Sequence, residues 1–440
     1  MDSTSNGQID ARSVEQLAGQ ILDWQHQAIP AAYHGRSVRE FLALEPRLGN
    51  LQTPVLTLDE SAIEHNLRLL GSWCRKHGVV LAPHGKTTMS PELWRRQLDL
   101  GAWGITLANA HQLRTARAFG VRRVMIANSL TDPQAIAFAA AETAEGAEIY
   151  SWVDSVRTVQ LLSEVLAATP GVTLPVIAEL GAPGGRTGAR TDAEGLEIAR
   201  AVASAPQLAL AGVGGYEGSL AHTTDEQALE TVRQYLRRVG ELHRAALAEK
   251  LYGLDEAIIT AGGGAYFDEV ASVLAQLRGE ATADDPRVEV VLRSGAYIIH
   301  DDGFYRSISP LCRSNPDADQ ALRAGMHAWV RVVSQPEPGL APLDAGKRDL
   351  PFDEGLPVPQ GYAQQLGEEL MDLPGASVTA VNDQHAFLRF DPELSLNPGD
   401  VVRLGLSHPC TALDKWVMIP VVESSGQANP RLVNVVRTFF

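Results

Sequence analysis

The sequence predicts an α/β fold: a (β/α)₈ barrel of the TIM type followed by a mostly β C-terminal domain. Three observations predict it. Short apolar, β-branched runs alternate with helical patterns from Thr53 to Thr260. Glycine-rich stretches recur just beyond the late runs, where barrel loops carry sites. After Asp284 the helical periods fade, and strand-like runs follow one another between Pro- and Gly-rich loops. The expected division is a partly helical extension over 1–50 that packs on the β domain, a barrel over 51–284 and a β domain over 285–440. A doubly wound open sheet is the alternative. Strand count and polar motifs at strand ends favour the barrel.

The first ten residues read as disordered. Val14, Leu17, Ile21 and Trp24 then stand at helical spacing. Pro54-Val55-Leu56-Thr57-Leu58 reads as the first barrel strand, and Asp59 or Ser61 caps a helix that Gly78 closes. Cys74 lies on the apolar face of that helix. The second strand is Val79-Val80-Leu81-Ala82, and the third is Trp103 to Leu107, with Asn109 opening its helix. Arg123 to Ala127 is the fourth, and Asp132-Pro133 supplies a cap followed by Pro at the first helical position. Ala147 to Val153 is the fifth, with Asp154 as cap for the next helix. Thr173 to Leu180, Leu208 to Gly214 and Glu256 to Thr260 complete eight, the last two separated by a long helix from about Thr224 to Lys250. In the β domain the expected strands are Val288 to Leu292, Ala328 to Val333, Ser377 to Val381, Ala386 to Phe390, Val401 to Leu404 and Trp416 to Val422. Pro336 to Pro359 reads as loop.

Composition narrows the function. Lys+Arg number 37 against Asp+Glu 53, a formal net charge of −16. Such an acidic chain is a poor non-specific nucleic-acid binder, and no nucleic-acid partner is expected. Its three cysteines, Cys74, Cys312 and Cys410, are odd in number and far apart, which fits a reducing cytoplasm without disulfides. Met1 to Asn6 lack a signal-peptide plan, and no apolar run is long enough to span a membrane.

Candidate chemistry sits at strand ends. Lys86, in Pro83-His84-Gly85-Lys86-Thr87-Thr88, follows the second strand and precedes a helix start at Pro91. A lysine there can form a Schiff base with pyridoxal phosphate; a solvated loop lysine is the ordinary alternative. Glu179 to Gly188, Gly212 to Gly218 and Thr260 to Gly264 are glycine-rich. Each alone is a tight turn, but three at consecutive strand ends favour a phosphate-bearing ligand, because backbone N–H groups approach an anion where no Cβ intervenes. There is no dinucleotide fingerprint in its βαβ setting and no P-loop. His408 and Cys410 stand two apart, an imidazole and a thiol suited to zinc with positions left open. A buried His and Cys near a strand end is the plainer reading.

Together these stretches resemble the fold-type III pyridoxal-phosphate enzymes, in the branch of D-serine dehydratase and D-threonine aldolase. The residues that carry the resemblance are Pro83-His84-Gly85-Lys86-Thr87, Gly185-Arg186-Thr187-Gly188, Gly215-Tyr216-Glu217-Gly218, Gly262-Gly263-Gly264, Arg293 to Tyr297 and His408-Pro409-Cys410-Thr411. The ending through Asp414-Lys415-Trp416 is similar to that of the bacterial amino acid deaminases. Thr88-Met89 stands where the family often has a basic residue. The resemblance implies an alanine racemase-like barrel, a homodimer, and a D-amino acid substrate that loses its β-hydroxyl to give a keto acid and ammonia. It implies that Lys86 carries the cofactor and acts with Tyr216. His84, Arg186, Gly262, Gly263 and Gly264 would bind pyridoxal 5'-phosphate, with Arg186 at the pyridine nitrogen. His408 and Cys410 would hold Zn2+ or another divalent cation. The alternatives are retro-aldol cleavage to glycine and an aldehyde, or a racemase or carrier without metal. His385 could border the site, His222 and His300 read as structural, and Cys312 reads as a partnerless loop residue.

Overall fold

The computed structural model describes residues 8–314, 319–394 and 396–440. They fall into two compact units. The first takes in 8–10, Leu70–Lys86 and Trp94–Gly295; the second takes in Ala11–Leu69, Thr87–Leu93 and Ala296–Phe440. Of the ten residues expected to be disordered, 1–7 lie outside the described residues. The other three are tied down: Ile9 is buried, the Asp10 N–H donates to Phe119 O, and Gln8 O accepts from the Arg122 N–H.

In chain order the strands begin with β1, Val55–Asp59, and β2, Val80–Leu81. The first unit continues with β3, Ile105–Leu107, β4, Arg123–Ser129, β5, Glu148–Val153, and β6, Leu174–Glu179. It ends with β7, Leu208–Gly214, β8, Glu256–Ala261, and β9, Arg287–Leu292. These eight strands, β2 to β9, form one parallel sheet in the order β2-β9-β8-β7-β6-β5-β4-β3. Its two ends meet: the Trp103 N–H donates to Leu81 O, the Thr106 N–H donates to Pro83 O, and His84 bridges Thr106. Nearly every strand sends a residue into one buried cluster of Ala82, Trp103, Met125, Tyr150, Trp152, Ile177, Ala211, Ile258 and Val291. Side chains converging on one point from the strands and the residues flanking them are what a filled barrel interior requires. Each fully buried large side chain there contributes about 1.5–3 kcal/mol over its exposed state.

The helices start where their caps dictate. Asn109 Oδ1 accepts the Gln112 N–H at the head of Ala110–Ala118. Asp132 caps Pro133–Ala144 through the Ala135 N–H, with Pro133 in the first turn. The next cap is Ser155 rather than the expected Asp154. Its Oγ accepts the Thr158 N–H, while Asp154 braces the hydroxyls of both. Helix Glu226–Ala248 buries Val232, Tyr235, Leu236, Val239, Leu242 and His243, the i, i+3, i+4 stripe that its sequence shows.

Two strand assignments are corrected. The run at 54–58, expected as the first barrel strand, is β1 of the second unit. It pairs antiparallel with β10, Met326–Arg331, with Val55 opposite Trp329, and parallel with β16, Met418–Val422. The run at 288–292, expected in the β domain, is β9, the last barrel strand, parallel to both β8 and β2. A strand buried on both faces shows an unbroken apolar run whichever sheet receives it, so the pattern alone carries no sheet identity.

The rest of the second unit comprises β11, Leu340–Leu343, β12, Val358–Ala363, β13, Ser377–Val381, β14, Ala386–Arg389, β15, Val401–Gly405, and β17, Leu432–Arg437. One sheet runs β12-β15-β10-β1-β16-β17; the other runs β11-β14-β13. Strand β11 falls inside the stretch expected to be loop. In the stretch expected as a partly helical extension, Ala11–Gln16 and Val38–Leu42 are short α-helices. The stripe expected to continue through Ile21 and Trp24 stops, and those side chains are 51% and 80% exposed. Within the unit this segment is joined to the sheet end, where the Leu432 N–H donates to Pro46 O and the Leu48 N–H to Pro430 O.

Candidate active site

Lys86 lies just past β2, in the single turn Gly85–Thr87. Its turn is fixed from below by Trp94, whose indole N–H donates to Gly85 O at 3.1 Å. A Cβ on Gly85 would lie 2.8 Å from that indole nitrogen, so the close approach requires glycine. Lys86 is half-buried. His84 stands two residues before it, and its Nδ1 is buried without a hydrogen-bond partner among the described residues. Burial, with the cations Lys86 and Arg293 nearby, pushes the His84 pKa well below the usual value. The imidazole is therefore neutral, with an open polar position.

Arg186 and Tyr216 share one cleft with Glu179, Thr187 and Tyr235. The Arg186 guanidinium sits over the Tyr216 ring, 5.1 Å from its centroid. The exposed Arg186 loop is held by the neighbouring Arg190, whose guanidinium donates to Thr187 O at 3.0 Å, Gly185 O at 3.1 Å and Arg186 O at 3.2 Å. The Thr187 hydroxyl donates to the buried Glu179 at 2.6 Å, and burial raises the Glu179 pKa.

The third glycine stretch follows β8. Gly262 has φ +93°, a left-handed conformation open to glycine. A Cβ on Gly263 would come within 3.2 Å of the Tyr216 ring. Glu217, fully buried, accepts from the Gly262 N–H at 2.9 Å and the Gly263 N–H at 3.1 Å. Arg293, at the end of β9, is also buried. It donates to Thr260 Oγ1 at 2.5 Å and Gly215 O at 2.6 Å. His84, Lys86, Arg186, Tyr216 and Gly262 to Gly264 all belong to the first unit, at the carboxyl ends of its strands. A half-buried lysine, an orphaned imidazole nitrogen and a side-chain-free turn beside a tyrosine fit a planar, phosphate-bearing aldehyde cofactor. Glu179, Arg190, Glu217 and Arg293 are the residues that motif reading left without a role. Three of them, Glu179, Glu217 and Arg293, sit inside the quoted stretches, where a charged residue next to glycines at a strand end is the signal.

In the second unit, His408 precedes the short helix Pro409–Leu413 and has a left-handed φ of +51°. Its backbone N–H donates to Asp301 Oδ2 at 3.0 Å. Its Nδ1 lies 2.6 Å from Asp353 Oδ2. Burial lowers the His408 pKa, but Cys410 and Asp353 outweigh it and lift it to about 9. Cys410 Sγ is 3.3 Å from the hydroxyl of the buried Thr87. No group of three or more His, Cys, Asp or Glu is arranged to hold a metal among the described residues. Asp353 was missed because it lies 55 residues before His408 in sequence, in a loop without a motif. Cys312 corrects another expectation: it lies on the short helix Pro310–Arg313, 3.2 Å from His300 Nε2. His222 and His385 are exposed.

Residues 58–267 match the family described as "Alanine racemase, N-terminal domain". Residues 325–422 match the "Putative serine dehydratase domain". The chain belongs to the fold-type III pyridoxal-phosphate enzymes. It is 29% identical over 365 residues to a D-threonine aldolase of Arthrobacter sp., covering 82% of this chain and 86% of that one. The crystal structure of D-threonine aldolase from Filomicrobium marinum superposes with a TM-score of 0.72 at 25% identity, covering 90% of this chain and 97% of that one. A D-threo-3-hydroxyaspartate dehydratase, solved as a histidine-to-alanine variant, gives a TM-score of 0.70 at 19% identity over 91% and 98% of the two chains. Its cysteine-to-alanine variant, solved in a metal-free form, gives 0.69 at 20% identity over 89% and 99%. For this family the cofactor is pyridoxal 5'-phosphate. No helix among the described residues is long and apolar enough to cross a membrane.

Proposed function

We propose that this protein is a pyridoxal-phosphate- and metal-dependent D-amino acid lyase that removes water from a β-hydroxy D-amino acid, giving a keto acid and ammonia. The observation that carries the reading is the pairing of His408, engaged at Nδ1 by Asp353, with a thiol two residues on. An imidazole with one nitrogen taken and a nearby thiol are a donor set for zinc with positions left open for substrate. The dehydratase relative supports this, being known in histidine- and cysteine-substituted forms, the latter metal-free.

Bound pyridoxal phosphate supplies an electron sink for the charge left at Cα. A divalent cation on His408 and Cys410 supplies Lewis acidity toward the β-hydroxyl. Lys86 would hold the cofactor, and its amine would take the Cα proton. Tyr216 and Arg186 would flank the cofactor, and an arginine beside a ring nitrogen would disfavour its protonation. His84, neutral, offers a hydrogen-bond position without adding charge. In the net reaction the Cα–H and Cβ–OH bonds break, and the elements of water leave before the amine is released by hydrolysis.

A second reading has a specific observation behind it. The Arthrobacter and Filomicrobium relatives are both aldolases. The same groups would then remove the β-hydroxyl proton, and the Cα–Cβ bond would break to glycine and an aldehyde. Purified, metal-quantified protein given D-serine, D-threonine and D-threo-3-hydroxyaspartate separates the two. Keto acid lost on chelation supports dehydration. Glycine with aldehyde supports the aldolase. Neither product, from protein that holds cofactor, refutes both.

A further inference from the structure

We infer that Asp353 is the positioning residue of the metal site, holding His408 through Nδ1 so that Nε2 is left for the cation. The inference rests on the reading that His408 and Cys410 bind a divalent metal. Imidazole has two nitrogens, and the partner of one decides what the other can do. Asp353 Oδ2 lies 2.6 Å from His408 Nδ1. Its other oxygen accepts the Thr411 hydroxyl at 2.7 Å. Both carboxylate oxygens are thereby engaged, one by the imidazole and one by the Thr411 hydroxyl, which orients the group toward Nδ1. A carboxylate on a ligating imidazole sets its tautomer and raises its basicity.

The loop that carries Asp353 is pinned on both sides by the segment that carries His408. The Trp416 indole N–H donates to Asp349 O at 3.1 Å. The Ser407 hydroxyl donates to Gly355 O at 3.0 Å. His408 is fixed independently through its backbone N–H to Asp301. Loop and imidazole are thus held in register by contacts that do not involve the hydrogen bond between them. A carboxylate merely passing through a surface loop has no need of such bracing. On the thiol side, the Thr87 hydroxyl is placed to donate to a Cys410 thiolate.

The test is zinc affinity, read by competition with a chromogenic chelator on cofactor-loaded, metal-stripped protein. Asp353→Ala is expected to weaken zinc binding by about 10- to 100-fold. Asp353→Asn, whose amide oxygen still accepts from Nδ1–H but brings no charge, is expected to fall between. The absorption spectrum of the cobalt(II) form should change in Asp353→Ala, since ligand orientation governs it; a purely structural clasp would shift Tm and leave the spectrum alone. Wild-type zinc affinity and an unchanged cobalt spectrum in Asp353→Ala, with His408→Ala and Cys410→Ala both impaired, overturn the inference and leave the metal reading intact. If His408→Ala and Cys410→Ala bind zinc like wild type, the metal reading itself fails. Should Asp353→Ala not fold, Asp353→Asn decides: unaltered affinity and spectrum refute the role.

Discussion

Glu217 accepts the backbone N–H of Gly262 with one carboxylate oxygen, at 2.9 Å, and that of Gly263 with the other, at 3.1 Å. A fully buried carboxylate therefore clamps the turn that follows β8. Charge-assisted bonds of this kind are worth more than neutral ones. Glu217→Gln turns an acceptor into an NH₂ group that faces one of the two amides. Leaving a buried donor unsatisfied costs about 1–3 kcal/mol. Urea denaturation should show that loss, and the variant should retain less cofactor on dialysis, read from its visible absorbance. Unchanged stability and retention would mean that the turn holds itself.

Much of this candidate site is legible in the sequence. Lys86, Arg186, Tyr216 and the glycines stand at strand ends because barrel strands announce themselves as apolar runs, and the residues after them are the loops. Strand β7 was read to its observed limits, Leu208–Gly214. What could not be read is pairing across sequence. β1 and β9 were assigned to the wrong sheets because their side chains are buried in either setting. The expected stripe through Trp24 fails because the helix ends at Gln16 and a single turn ends at Gly19, so Ile21 and Trp24 are on no helix face. Asp353 and Glu217 are ordinary acidic residues in sequence. Only folding shows one against His408 and the other against two glycine amides.

Lys86 should be the point of covalent attachment. Borohydride reduction of the loaded protein, followed by peptide mass analysis, is expected to place the cofactor adduct on the peptide that contains Lys86. Lys86→Ala should show no adduct. It should also lose turnover by several orders of magnitude, since no other group supplies both attachment and the Cα base. Lys86→Arg keeps the charge but offers no amine, and should behave like Lys86→Ala. An adduct on another lysine would remove the assignment.

Acid stability should carry the mark of buried histidines. His243 is 1% exposed, its Nδ1 lies 2.7 Å from the Tyr252 hydroxyl, and burial lowers its pKa from 6.5 to about 4. The folded state thus binds this proton later than the unfolded state. Its contribution is fully present above pH 6.5 and is lost as pH falls from about 6.5 toward 4. A shift of this size corresponds to about 3 kcal/mol as an upper figure. His243→Gln can still accept from Tyr252 and does not titrate. Its unfolding free energy should fall less steeply than that of wild type between pH 6.5 and 4. Parallel curves would show that His243 is protonated equally in both states.

The identity of residue 410 should govern which metal works. A thiolate is a soft ligand that favours zinc, whereas a carboxylate favours harder cations such as manganese. Cys410→Asp keeps a negative charge on a short side chain, one carbon longer to the donor atom, but changes that softness. The Thr87 hydroxyl beside Sγ is able to donate to a carboxylate as well, so the local hydrogen bond survives the exchange. The variant should bind zinc at least tenfold more weakly while its manganese-supported turnover rises relative to zinc. If the leaving β-hydroxyl depends on the softer, more acidic ion, the ratio of keto acid to glycine from D-threonine should fall in the variant. Cys410→Ser, smaller and neutral, should lose both metals and serves as the control for charge. Unchanged zinc affinity in Cys410→Asp would show that the thiol is not a ligand. An altered metal preference with an unchanged product ratio would show that the metal binds at residue 410 but does not choose between the two bond cleavages.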